Sequence, residues 1–186
     1  MIGKRIGLFG ERLASKVHGR PPTRALCARG LRIGRRCSFE PGVKIDASHA
    51  WLIDIGDDVT LAPNVLVFAH DASTKAAVGL TRIARVRIGD RVFVGAGCVI
   101  LPGASIGDDC IIGAGSVVGG EVPDASVAVG CPAVVIGSRE AFDRRQRDDA
   151  ARLPTFDASW TVRGGIDHAR RERMRELLAS QGGFVA

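Results

Sequence analysis

The chain of 186 residues has no tyrosine, and its aromatic residues make up only 5%. A platform for stacking nucleic-acid bases has little material here, so nucleic acid is not expected as a partner. Apolar runs are short: none approaches the roughly 20 residues that a bilayer span needs, and the start has no apolar core followed by a small-residue cleavage site. A cytoplasmic protein is the expectation. There is no G-x-x-x-x-G-K-[ST], and the glycine pairs have no strand-helix-strand setting, so nucleotide-binding readings fail. His18, His49, His70 and His168 do not form a metal-binding trio in the sequence, and no catalytic metal is expected.

Acidic residues are scarce at one end. Residues 1–36 hold ten Lys or Arg against the single acid Glu11, whereas 139–186 hold ten Arg against eight acids. That basic end is suited either to peripheral contact with an anionic membrane surface or simply to solvation. Five cysteines make an odd set. Cys37, Cys98 and Cys110 read as small packing residues, and Cys98 and Cys110 are spaced so as to fall on different faces of a repeat, which argues against a disulfide between them.

What is abundant is periodicity. Ile88, Val94, Ile100, Ile106, Ile112 and Val118 recur every sixth residue, and four places after each stands a small or β-branched residue: Val92, Cys98, Ala104, Cys110, Ser116 and Val122. A period of six suits neither a helix at 3.6 nor a strand at 2, and it marks an all-β solenoid. Three six-residue units close a coil of eighteen, and coils stack at the sheet spacing of about 4.8 Å. Glycine follows most of the aliphatics, as at Gly89, Gly95, Gly107 and Gly113, and is expected to accept corner dihedrals barred to larger residues.

The pattern begins at Ile33, Phe39 and Ile45, slips after His49, and resumes at Ile55, Leu61 and Val67. It stops at His70 and restarts at Ile88, which predicts an extruded loop over 71–85. Loops leaving a rigid scaffold are where function concentrates. A final partial turn is expected over 126–136. Three parts result: 1–30, a basic helix (2–18) and linker; 31–137, the solenoid; and 138–186, a partly helical tail with one helix around 166–178. The N-terminal helix, with Ile2, Ile6, Phe9, Leu13 and Val17 at helical spacing, is expected to cap the first coil.

The units "IGDRVF VGAGCV ILPGAS IGDDCI IGAGSV VGGEVP" with "AVGCPAVVIG" resemble the hexapeptide-repeat acyltransferases over roughly 33–137. The resemblance implies a left-handed parallel β-helix of about four to five coils, acetyl-coenzyme A as co-substrate and a homotrimer. The stretch "SHAWLIDIGDDVTLAPNVLVFAHDASTK" resembles the maltose and galactoside O-acetyltransferase branch and looks most like the similar polysaccharide O-acetyltransferases. There a histidine matching His70 is the general base, a task for which imidazole suits near-neutral pH.

Aligning Ile33 on Ile55, Phe39 on Leu61 and Ile45 on Val67 puts His49 one rung from His70, about 5 Å along the stack. His49, Asp46 and Asp71 are therefore candidates to orient His70 or to hold a substrate hydroxyl. The donor groove implied by the resemblance runs along Phe93, Gly95, Ala96, Gly113 and Ala114. Two departures stand out. Gly119-Gly120 and Val134 replace residues that serve the coenzyme A phosphates in many relatives, which leaves Arg139 or a tail arginine for that task. The function implied is acetyl transfer to a sugar hydroxyl in polysaccharide or lipopolysaccharide synthesis; N-acetylation of an amino sugar and a non-catalytic scaffold are the alternatives.

Overall fold

The computed structural model describes residues 23–186, and the helix expected over 2–18 lies outside the described residues. The chain divides into two compact units at Arg139/Glu140. In the first, a short helix α1 (Thr23–Cys27) is followed by very short strands: β1 (Arg32–Ile33), β2 (Ser38–Phe39) and β3 (Lys44–Ile45), then β4 (Ile53–Ile55), β5 (Thr60–Leu61) and β6 (Leu66–Val67). A hairpin of β7 (His70–Asp71) and β8 (Arg82–Ile83) with a helical turn α2 (Lys75–Val78) intervenes. The strands resume as β9 (Val86–Ile88), β10 (Phe93–Val94), β11 (Val99–Ile100), β12 (Ser105–Ile106), β13 (Ile111–Ile112) and β14 (Val117–Val118). Last come β15 (Glu121–Val122), β16 (Ser126–Gly130) and β17 (Ala133–Ser138).

Strands stack in three parallel sheets, ordered β1-β4-β9-β12-β15, β2-β5-β10-β13-β16 and β3-β6-β11-β14. Ile33 pairs with Ile55, Phe39 with Leu61 and Ile45 with Val67, the register read from the aliphatic spacing. The stacked aliphatics are the core: Ile53, Leu61, Ile88, Ile100, Ile106 and Ile112 are all fully buried. Each such side chain contributes about 1.5–3 kcal/mol by leaving water. Two-residue strands have almost no stability of their own, so the fold depends on rung-on-rung stacking. At one end Leu26 of α1 and Leu31 join the core. At the other, β17 turns back antiparallel along β16 and covers the last edge of the second sheet.

Two expectations are corrected. The glycines directly after the aliphatics are not in left-handed backbone: where the first sheet turns into the second that conformation is taken by Arg36, Asp58, Arg91 and Asp109, at φ of 55° to 58°, and at the other corners by residues such as Asn64, Gly97, Gly103 and Gly115. Gly34, Gly56, Gly89 and Gly107 are there because the next rung stands directly over them: a Cβ on Gly89 would lie 2.3 Å from Asp108 Oδ1 and 2.8 Å from its amide nitrogen. Val122, expected in the small column, pairs over Ile106 in the aliphatic stack. Gly119-Gly120 shorten that corner, and an unbroken spacing would have turned Asp124 into the apolar interior instead.

The second unit has the helix α3 (Arg139–Arg152), a parallel pair of β18 (Thr155–Phe156) with β19 (Phe184–Val185), and α4 (His168–Leu177). Asp167 caps α4, accepting from the Arg170 amide at 2.8 Å. Phe156 and Ile166 are buried, with the Trp160 ring 5.0 Å from Phe156. The helix expected around 166–178 is present as α4. The helix α3 was not expected, because its charged sequence REAFDRRQRDDAAR offers no apolar stripe.

Candidate functional site

The corner joining the third sheet back to the first carries both irregularities of the repeat. Between β3 and β4 it holds 46–52, including a 3-10 turn at Ala50–Leu52; between β6 and β9 it holds 68–85. These two insertions lie on successive rungs, so their residues meet. Asp46 leaves the end of β3, is 6% exposed, and is fully used as an acceptor. Its Oδ1 takes the Ser48 amide at 2.9 Å and the His49 amide at 3.3 Å; its Oδ2 takes the Ala69 amide at 3.1 Å and stands 2.5 Å from His70 Nδ1.

Burial works against a charged Asp46. The hydrogen bonds from His70 and from the Ser48 and Ala69 amides outweigh it and hold the carboxyl below the ordinary carboxylate range. An ionised Asp46 accepting at Oδ2 fixes the proton of His70 on Nδ1 and leaves the Nε2 lone pair as the basic position. The imidazole is about one-third exposed, so that position is open to a reactant.

His49 packs its ring 5.1 Å from that of His70, as the rung alignment predicts. Its Nδ1 is buried without a hydrogen-bond partner, 3.9 Å from Asp46 Oδ2. Asp46, His49 and His70 each offer a ligand atom within 4.8 Å of the others, a set able to receive a metal ion, although Asp46 Oδ2 is already engaged by His70 and the Ala69 amide.

Asp71 is not part of this cluster. Successive residues of a strand point to opposite sides, and the exposed Asp71 carboxylate accepts from the Ser73 amide at 2.8 Å, opening the turn to α2. The loop is closed on itself by Thr74 Oγ1, which donates to the Leu80 carbonyl and accepts from the Arg82 amide. At its base Arg85 pairs with Asp54 at 2.8 Å. Trp51, not singled out from the sequence, stands beside His49 at 5.4 Å between ring centres.

The residues expected to hold the donor are on another edge, where the second sheet turns into the third. There Gly95-Ala96-Gly97 stacks on Gly113-Ala114-Gly115, with the Gly115 amide donating to the Ala96 carbonyl at 2.8 Å. Ala96 and Ala114 are exposed, and a Cβ on Gly97 or Gly115 would meet open space, so the corner is a shallow track of backbone. Phe93 is exposed on the strand leading to it. The strand β11 separates this edge from His70 within one chain. Arg139 lies elsewhere: its amide donates to the Ala125 carbonyl at 2.7 Å. Its charge adds to the effect of Arg91, whose hydrogen bond is the main cause holding Asp109 low.

The family described as bacterial transferase hexapeptide (six repeats) matches residues 85–120. The galactoside O-acetyltransferase of Escherichia coli K12 is 35% identical over 149 residues, 77% of this chain and 71% of that one. A solved hexapeptide-repeat-containing acetyltransferase of Vibrio cholerae, complexed with acetyl coenzyme A, matches at a TM-score of 0.54 and 26% identity, over 59% of this chain and 61% of that chain. A galactoside acetyltransferase in complex with coenzyme A matches at a TM-score of 0.53 and 26% identity, over 74% of this chain and 85% of that chain. Among the described residues, no helix is long and apolar enough to cross a membrane.

Proposed function

The chain belongs to the hexapeptide-repeat acetyltransferases, which take acetyl-coenzyme A as donor, and on that premise we propose that it acetylates a sugar hydroxyl in polysaccharide or lipopolysaccharide synthesis. The observation that carries this is the buried Asp46 bonded to a half-open His70 at the mouth of the loop. In the reading, residues 31–137 are the catalytic part, a left-handed β-helix of four to five coils. His70 Nε2 removes the proton of the acceptor hydroxyl as its oxygen attacks the thioester carbon. Donors of the kind found in backbone corners then stabilise the oxyanion, and the coenzyme A thiolate leaves and is protonated by the imidazolium. Asp46 keeps the imidazole in the useful tautomer and balances its transient charge.

The donor track at Ala96 and Ala114 and the base at His70 belong to different edges of one chain, which supports a homotrimer in which each cleft joins one subunit's base to its neighbour's track. The His49 ring packs against the base without a hydrogen bond of its own to Asp46, which favours His70 over His49 as the proton acceptor. No metal has a role in this scheme. Because acetyl-coenzyme A is an intracellular metabolite, the reaction belongs to the cytoplasm.

The test is a pair of measurements. Calorimetry should detect binding of coenzyme A, and acetyl transfer to a panel of methyl galactoside, maltose and glucosamine should be detectable against hydrolysis. No donor binding at millimolar coenzyme A would leave a non-catalytic scaffold; transfer only to the amine of glucosamine would replace the hydroxyl by an amino sugar.

A further inference from the structure

Trp51 is a large aromatic residue left half outside the core. It is 53% exposed in a chain with only two tryptophans, in the insertion that also supplies His49. Its stem is fixed: the 3-10 turn Ala50–Leu52 holds its backbone, Ala50 before it and Ile53 two places after it are fully buried, and Gly30 approaches so closely that a Cβ there would lie 2.8 Å from Trp51 Cβ. Gly30 itself is at φ +97°, in the turn that ends α1, and its lack of a side chain leaves room for the base of Trp51. The result is an indole on a fixed base with about half of the residue open to solvent.

The rings of Trp51, His49 and His70 form a row, 5.4 Å and 5.1 Å between neighbouring centres. An apolar ring face beside a general base has one obvious use if the acceptor is a sugar: the C–H groups of a pyranose lie against the negative face of an indole, at low entropic cost to a side chain already held. Distance refines this. A hydroxyl at His70 Nε2 belongs to a sugar ring lying next to the His70 imidazole, and the indole is up to two ring spacings away along the row. Resting on the acetyl-transfer reading of His70, we propose that Trp51 is the stacking platform for a second sugar unit, so that the acceptor is a glycan of two or more residues rather than a monosaccharide.

The test compares methyl galactoside, maltose and maltotriose as acceptors for the wild type and for Trp51→Ala, Trp51→Leu and Trp51→Phe. The wild type should show a lower KM for the longer acceptors than for the monosaccharide. Trp51→Ala should raise the KM for them by about tenfold, the size of one well-formed aromatic contact, with the loss falling on KM rather than kcat. Trp51→Phe should recover part of it and Trp51→Leu should not, which separates a ring face from mere apolar filling. In a Trp160→Phe background, maltotriose should also change the fluorescence of Trp51 without donor present. Equal KM values for Trp51→Ala and wild type on an acceptor that the wild type acetylates would overturn the platform and leave the acetyl-transfer reading intact. Failure of the wild type to acetylate any of the three, despite binding coenzyme A, would overturn the sugar reading and the platform with it.

Discussion

Two kinds of corner are built from the same repeat and have opposite characters. Where the first sheet turns into the second, the connections 34–37, 56–59, 89–92 and 107–110 are uniform in length and layered. Asp57, Asp90, Asp108 and Asp124 each accept, through Oδ1, the amide of the rung before, at 2.7–3.0 Å. Beside this ladder Arg36 pairs with Asp58, and Arg91 with Asp109. Where the third sheet returns to the first, the connections 46–52, 68–85, 101–104 and 119–120 differ at every rung. The uniform edge satisfies the backbone and fixes the stacking; the variable edge spends that rigidity on holding Asp46, His49 and His70 in register. A solenoid can carry chemistry on one edge because the other edges repeat without exception.

Asp46→Asn should lower turnover by at least tenfold, since an amide neither fixes the His70 tautomer nor balances imidazolium, while Kd for coenzyme A stays near wild type; a matching loss of donor binding would place Asp46 on the donor side instead. Truncating the shared core should hurt both edges alike: Ile100→Ala, at a fully buried position, should cost about 2–5 kcal/mol in urea unfolding with no selective loss of chemistry.

Acid should affect the edges together. Asp57, Asp58, Asp109 and Asp46 all have folded pKa values below the ordinary carboxylate range, for Asp57 mainly through the Arg35 amide and for Asp58 through the Arg36 hydrogen bond. A depressed folded pKa means that the unfolded chain binds protons first as pH falls, so their stabilisation is complete above about pH 5 and is lost as pH drops through the folded values. Urea midpoints measured from pH 6 to pH 2.5 should fall steadily below about pH 4; a flat profile would show that these four carboxylates add nothing to stability. Least should happen at the loop tip. Val78→Ser and Leu80→Ser replace exposed side chains and should move the unfolding free energy by no more than about 0.5 kcal/mol.

The uniform part of the molecule is the part that sequence reading reaches. A six-residue period, once seen, gives the strands, the registers Ile33 on Ile55 and Ile45 on Val67, and the two places where the chain leaves the stack. From those alone His49 and His70 become neighbours. What the pattern does not carry is where atoms point. His49, Asp46 and Asp71 are all candidates from the sequence to orient His70; that Asp46 bonds it while Asp71 turns to Ser73 depends on side-chain direction, for which the hairpin has no periodic signal. The aspartate ladder is visible as Gly-Asp recurring at 56–57, 89–90 and 107–108, but periodicity alone does not say that these glycines leave room for the next rung rather than supply a dihedral. Trp51 and α3 have no repeat to announce them.

The division of labour between the edges is tested most directly by two substitutions measured for both properties in one preparation each. His70→Ala should lower turnover by about 10²-fold or more while leaving coenzyme A affinity and the urea midpoint close to wild type. Gly89→Ala, whose Cβ would press on the backbone of the next rung, should lower the midpoint by the equivalent of about 1–3 kcal/mol while turnover per folded molecule is kept. Wild-type turnover in His70→Ala would contradict the account, as would a Gly89→Ala protein that is fully stable but inactive.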